Sequence, residues 1–494
     1  MVSGNPASAP AKESLQQTEH AKNFLPPSKH GSQYGIIKNQ AFLPGTAKTI
    51  HTRMWNPQGE NVETVGRGDG VEKRLNSRED VHSVSNSQNR FPFLENLGFP
   101  QLPHPLLLRR RTIIIKHALK IRRSTMRIHI NTQELNAGIS TVIKALSVRT
   151  TVSILEGIYL EASNGWLLLR CTDLSLQIET NVAATVQEEG AIVLPGRLFS
   201  EMVRRLPGEM TFIDVKKGTA TIESGSFKTT LQGEDAEGFH TMSTVTREHI
   251  IKMKCDAFKN MIRQCIFAAA QDDAKPILAG ALLEQHEGDL SLVALDGYRL
   301  AMRMERIPGG MLADRSAVIP ARSLLEISKI LPDSDQEFDM IFSKTHVMID
   351  LSHTNITARL MDGEFIKYKQ ILPDGHKTRV RVNRQELMSG IDRVALMARE
   401  GKSNLIKFTF TSDKLTIAAN SELGRSHEEI AVDAMGEDIE IAFNAKYFTD
   451  VLRVLDEDEL YLDMNNNISP CVVRPVQGSA FYYLILPVRL FSGM

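Results

Sequence analysis

"IVLPGRLFSEMVRRLP" (residues 192–207), "AVIPARSLLEISKILP" (317–332) and "IAFNAKYFTDVLRVLD" (441–456) write one pattern three times. Each copy is a short apolar strand, a turn and an amphipathic helix. The copies stand about 125 residues apart, whereas solenoid units are only about 20–50 residues long. The period therefore predicts three similar domains, and 494 residues suffice for about three at ~150 each.

Working outward, a strand and helix precede each copy: "IHINTQELNAGISTVIKALSV", "IKMKCDAFKNMIRQCIFAAA" and "VRVNRQELMSGIDRVALMA". In the first, Leu135, Ile139, Val142, Ile143 and Leu146 recur at helical spacing and make one apolar face. Thr132 or Asn131 is the expected N-cap. Alternating strands follow, as in "ILEGIYLEASNGWLLLRCTDLSLQIETNV", where Asn164–Gly165 signals a hairpin. Further strands close each unit, such as "MTFIDVKKGTATIESGSFKTTLQG". The fold class read from this order is α+β: three domains over 126–248, 249–377 and 378–494, each with two helices packed on about eight antiparallel strands.

Of the 58 Lys+Arg and 59 Asp+Glu, 18 and 9 fall in residues 1–125. The remaining chain is thus acidic by ten charges and the leader basic by nine. The leader is rich in Ser, Asn, Gln, Pro and Gly, lacks sustained periodicity and reads as disordered. Its acidic stretch at 60–80 argues against an organelle transit peptide. Met126, where patterned sequence begins at once, is an alternative start. Cys171, Cys255, Cys265 and Cys471 form no C-x-x-C pair, so neither a zinc site nor redox chemistry is expected. No cofactor or metal is expected, and no apolar run approaches the ~20 residues of a membrane span.

The three second helices align on Arg197, Arg322 and Lys446. Glu201, Glu326 and Asp450 stand four positions later, and Arg204, Lys329 and Arg453 seven positions later. Positions i, i+4 and i+7 share a face. Each helix should carry a net positive stripe, to which Arg205 adds in the first copy. Exposed helical ion pairs would explain one such stripe, but three copies on an acidic body suit a polyanion. Base-reading motifs are missing, so contact would be with phosphates and independent of sequence. Walker, H-E-x-x-H and G-x-S-x-G motifs are missing as well, which disfavours an enzyme.

With "TDL" (172–174), "LDGYRLA" (295–301), "LMDGEFIKYKQILP" (360–373), "FNAKYFTDVL" (443–452) and "LPVRL" (486–490), residues from Met126 to about Leu490 resemble the bacterial DNA polymerase III β subunit family, the β sliding clamps. The resemblance implies a non-catalytic processivity factor: a head-to-tail homodimer of six domains that encircles duplex DNA in the bacterial cytoplasm and slides on it. It implies a peptide groove for the polymerase catalytic subunit, the clamp loader, other polymerases and repair proteins. The groove residues carried over are Leu278, Gly297, Tyr298, Arg299, Leu300, Pro373, Asn444, Tyr447, Ile468, Leu486, Pro487, Val488 and Arg489. Arg149, Gln271 and Lys275 join the helical cations as implied DNA contacts. Across the dimer joint, strand 226–231, with Phe227, Thr229 and Leu231, is expected to pair with 404–410 of the partner, beside Leu396 and Met397. The chain departs from the family pattern in its leader and in the "FSGM" after Leu490, whose Leu490–Phe491 pair is expected to compete for the groove. A DNA-processing enzyme on the same scaffold is the alternative.

Overall fold

Alternation and helical spacing lead to the elements the sequence predicts, repeated three times. The computed structural model describes residues 125–147, 150–243, 245–247, 249–271, 275–307, 314–400 and 404–489. The leader, Arg149 and the segment from Leu490 onward lie outside the described residues.

The first domain contains β1 (Met126–Asn131), α1 (Thr132–Val142), β2 (Gly157–Ser163), β3 (Trp166–Thr172), β4 (Leu176–Ala183), β5 (Thr185–Glu188) and β6 (Gly190–Pro195). It continues through α2 (Gly196–Val203), β7 (Met210–Lys216), β8 (Thr219–Ser224) and β9 (Phe227–Gln232). The second contains β10 (His249–Lys254), α3 (Cys255–Cys265), β11 (Gly280–His286), β12 (Asp289–Leu295), β13 (Arg299–Arg306) and β14 (Arg315–Pro320). After these come α4 (Ala321–Ser328), β15 (Glu337–Phe342), β16 (His346–Asp350) and β17 (Thr354–Arg359). The third contains β18 (Thr378–Asn383), α5 (Arg384–Glu400), β19 (Leu405–Phe410), β20 (Lys414–Ser421), β21 (Gly424–Ala431), β22 (Asp433–Met435) and β23 (Ile439–Asn444). It ends with α6 (Ala445–Val454), β24 (Glu459–Met464), β25 (Cys471–Pro475) and β26 (Phe481–Ile485).

Local chemistry explains the elements. In β1, Met126, Ile128 and Ile130 are buried while their neighbours are not, the period-two pattern of a half-buried strand. Asn131, not Thr132, caps α1: its side chain accepts from the backbone N–H of Gln133 and Glu134. Thr132 is instead the first helical residue, buried with its hydroxyl 2.8 Å from that of Thr211. The β2–β3 hairpin turns on Asn164 (φ 51°) and Gly165 (φ 82°), as a type I′ turn requires.

The sheets cross the domain boundaries. β4 of the first domain pairs with β17 of the second, from Leu176↔Ala358 to Thr180↔Thr354, inside an eight-stranded sheet. β13 of the second pairs with β26 of the third, from Arg299↔Ile485 to Arg303↔Phe481, inside a nine-stranded sheet. One rule covers both joints: the fourth strand of one repeat pairs with the last strand of the next. A five-stranded sheet ends at β9 and a four-stranded sheet ends at β21, and neither edge has a partner among the described residues. The expectation that 404–410 offers a free edge is therefore corrected. β19 lies between β20 and β23, so its backbone is paired on both sides and cannot take a further strand.

One apolar core runs through all three domains. On the opposite face of β11–β13 a smaller cluster forms around Leu282, Val293, Leu295, Leu300 and Leu484, under Phe365 and Tyr368. All four cysteines are buried as free thiols.

Candidate functional site

The smaller apolar cluster leads to a groove where β13 meets β26. Chain entry into β13 is set by the Asp296–Gly297–Tyr298 turn. The Asp296 carboxylate accepts from the N–H of Tyr298 (2.9 Å) and of Arg299 (3.0 Å). Gly297 takes φ 90°, a conformation that costs a side-chain-bearing residue about 1–2 kcal/mol. The turn thereby presents Tyr298, 61% exposed, beside Tyr447 of α6, with ring centroids 6.1 Å apart and planes 22° apart. Leu486 N–H donates to the Tyr298 carbonyl at 2.9 Å, which brings the strand after β26 alongside.

A cavity of about 230 Å³ opens there, lined by Leu295, Gly297, Tyr298, Arg299, Leu300, Ile371, Pro470, Leu484 and Leu486. Five of these were expected from the sequence. Ile371, Pro470, Leu295 and Leu484 were not; an exposed Ile at the end of a 3-10 turn and a Pro in a loop carry no local signal. Around the cavity Ile468 (62%), Val488 (41%) and Ile371 (47%) leave apolar surface exposed. Pro373, Asn444 and Pro487 are half-buried and Arg489 is exposed. Leu278 is buried in the cluster, so it supports the floor. Asn444 caps α6 by accepting from Lys446 N–H at 3.0 Å. A larger cavity of about 700 Å³ lies between β14 and residues 360–370. Its lining mixes apolar side chains such as Leu282, Val318, Met361 and Phe365 with Glu284, Arg315, Lys344, Glu364, Lys367 and Lys369.

Arg299 does two jobs. It is among the residues lining the cavity, and its guanidinium is held in the joint between the second and third domains, the side chain only 8% exposed. It donates to Asp296 (3.1 Å), to Asp450 of α6 (2.6 Å) and to the Phe267 carbonyl (2.9 Å). It also lies 4.8 Å from the Tyr447 ring centroid and 5.2 Å from that of Phe267. Burial works against ionisation of Asp450, but hydrogen bonds from Lys446 and Arg299 outweigh it and hold the carboxyl below its usual range. Burial also raises the Tyr447 hydroxyl, with Asp296 adding to it.

The cations of the repeated helices are all exposed: Arg197, Arg204, Arg205, Arg322, Lys329, Lys446 and Arg453. Ion pairs temper them. Arg204 and Arg205 share Glu201, Lys329 pairs with Glu326 (2.8 Å) and Lys446 with Asp450. Arg453 lies 3.7 Å from Asp392, and Arg322 reaches Asp173 of the first domain at 3.5 Å. Each second helix still carries more cations than acids, so the stripe stays positive. Exposed pairs of this kind hold their charges by only about 0–1 kcal/mol, which a phosphate can displace. Gln271 and Lys275 are exposed on the loop before β11. Lys144, near the end of α1, has its pKa lowered, first by burial; Glu326 opposes the shift and Lys329 adds to it. That electrostatic contact links the end of α1 with α4. Of the residues expected at the dimer joint, Phe227 (41%) and Leu396 (61%) are exposed, Thr229 and Met397 are half-buried, and Leu231 faces the core.

Among the described residues no group of three His, Cys, Asp or Glu side chains could hold a metal ion. Within the same residues no helix is long and apolar enough to cross a membrane.

Three family descriptions match the chain in order: "DNA polymerase III beta subunit, N-terminal domain" over 126–243, "central domain" over 252–367 and "C-terminal domain" over 369–489. The "Beta sliding clamp" of Bacillus subtilis is 33% identical over 380 residues, spanning 74% of this chain and all of the relative. That of Staphylococcus aureus is 30% identical over 368 residues, spanning 72% of this chain and 96% of the relative. A crystal structure of a B. subtilis DNA polymerase sliding clamp matches with a TM-score of 0.73 at 32% identity, over 74% of this chain and 100% of that one. A putative DNA polymerase III beta subunit from Eubacterium rectale matches with a TM-score of 0.71 at 35% identity, over 74% and 99%.

Proposed function

The chain belongs to the DNA polymerase III beta subunit family, and from that premise we propose that it works as a sliding clamp, a non-catalytic processivity factor of DNA replication. Two chains join head to tail into a ring around duplex DNA, in the bacterial cytoplasm. Topological enclosure then supplies retention, and no tight contact is needed.

The observation that carries this reading is the pairing rule at the two internal joints. Fourth strand meets last strand twice within the chain, and the two equivalent strands, β21 and β9, each keep an outer edge with no partner among the described residues. A heterologous contact that repeats the internal joint closes when two chains meet. Phe227 and Thr229 on β9, with Leu396 and Met397 on α5, accompany that β9–β21 contact, and Leu231 backs it from the core. Domain limits at 248/249 and 377/378 fit this scheme.

DNA is held by phosphate contacts from Arg197, Arg204, Arg205, Arg322, Lys329, Lys446, Arg453 and Lys275, with Gln271 and Arg149 alongside. Such contacts are indifferent to sequence and sensitive to salt. The groove at the β13–β26 joint takes polymerase and other DNA-metabolism partners through peptides with large apolar side chains. Burial of each such anchor contributes roughly 1.5–3 kcal/mol, which suits partners that exchange. The DNA-processing alternative loses ground because the relatives carry the clamp name.

Retention on a closed circular plasmid tests the reading. The clamp should stay bound through gel filtration at salt that strips simple cationic binders, and be released when the plasmid is cut. Equal retention on cut and uncut plasmid would overturn it.

A further inference from the structure

Two large apolar side chains have no place in the cores of this chain. Leu198 on α2 is 53% exposed, and Leu423 at the tip of the β20–β21 turn is 77% exposed. Their positions in the repeat account for them. With α2, α4 and α6 aligned on Arg197, Arg322 and Lys446, Leu198 corresponds to Ser323 and Tyr447. The turns entering the fourth strand of each repeat correspond likewise: 173–175, 296–298 and 422–423.

At both internal joints the start of this helix reaches the facing turn. Tyr447 stacks on Tyr298 between the second and third domains. Between the first and second, Ser323 is 3% exposed and its neighbour Arg322 reaches Asp173 of the facing turn. In the two outer repeats the helix position is Leu198 and the turn carries Leu423, in the same domains as the edge strands β9 and β21. We propose that Leu198 of one protomer packs against the partner subunit's Leu423, forming an apolar seal at each ring-closing joint. This rests on the clamp reading above and adds what holds the joint. One internal joint uses an aromatic stack and the other a charge pair. The intersubunit joint uses aliphatic contact, which has no directional bond and no charge for salt to screen.

Sedimentation equilibrium tests the seal. Leu198→Asp and Leu423→Asp each raise the dimer dissociation constant by at least about tenfold, the effect of losing one buried leucine. Both side chains are exposed in the single chain, so circular dichroism and melting of the monomer stay unchanged. A chain carrying both Leu198→Lys and Leu423→Glu places opposite charges at each joint and recovers most of the affinity. The pair Leu198→Cys and Leu423→Cys oxidises to a covalent dimer, the native cysteines being buried. If the natural chain is monomeric at every concentration, the ring reading fails and the seal with it. If it dimerises and Phe227→Asp splits it, yet both leucine variants dimerise like the natural chain, the ring stands and the seal is refuted.

Discussion

Replacing Arg299 with Ala should loosen the joint between the second and third domains more than any other single side-chain change there. The guanidinium is 92% buried and makes three hydrogen bonds, to Asp296, Asp450 and the Phe267 carbonyl. Its removal leaves Asp450 with Lys446 as its remaining cation and strips a donor from a buried carbonyl. Leaving a buried charge wholly uncompensated costs about 3–5 kcal/mol; Lys446 still compensates Asp450, so the loss here falls at or below the lower end of that range. Loss of the cation above the Tyr447 ring adds about 0.5–1 kcal/mol. Arg299→Lys recovers little, since a single ammonium cannot reach three acceptors in a planar fork. The assay is urea denaturation followed by far-UV circular dichroism, paired with limited proteolysis at 372–378 between the domains. The expected outcome is an early transition and faster cleavage there. Groove binding of a Leu/Phe peptide should weaken too, because Arg299 supports Tyr447 and the Tyr298 turn. A variant with an unchanged urea midpoint and unchanged cleavage would refute the reasoning.

The same joint should respond to acid. The Asp450 carboxyl is held below its ordinary value, so its contribution is full above about pH 4 and is lost as pH falls through the folded-state value; Asp450→Asn should flatten that part of a urea-midpoint titration. Ile468→Asp and Ile371→Asp should each weaken peptide binding by about tenfold or more while leaving melting unchanged, because both side chains are exposed, as calorimetry would show. Lys275→Ala should reduce the slope of log affinity against log salt for duplex DNA by about 0.9, one phosphate contact, with equal effect on all sequences. Gly436→Ala should destabilise the third domain by more than about 2 kcal/mol, since a Cβ would stand 2.0 Å from the Lys377 carbonyl oxygen and φ is 115°; thermal melting reads it directly.

Local features of this fold are legible in the sequence because short-range chemistry writes them. The N-cap of α1 comes from Asn131, one of the two residues the pattern offered. The Asn164–Gly165 turn follows from backbone geometry alone. The cationic positions of the second helices come from helical spacing, though the acids that temper Arg204, Lys329 and Lys446 were visible at the same spacing. The groove is half legible: "LDGYRL" marks the turn, but Ile371 ends a single 3-10 turn and Pro470 lies in a loop, neither with a periodic pattern.

By itself the sequence determined the threefold repeat, the α+β class and the elements of each unit. Those depend on side-chain periodicity over a few residues and on turn chemistry. Tertiary structure alone decided which strand edges are used and which are left. β19 is enclosed by β20 and β23, while β21 pairs only with β20 and keeps an outer edge. Only tertiary structure, too, buried the Arg299 guanidinium against Asp450 and the Phe267 carbonyl and left Leu198 and Leu423 bare. A strand's pattern encodes which face it buries, not which neighbour satisfies its backbone; that choice is made by partners more than a hundred residues away.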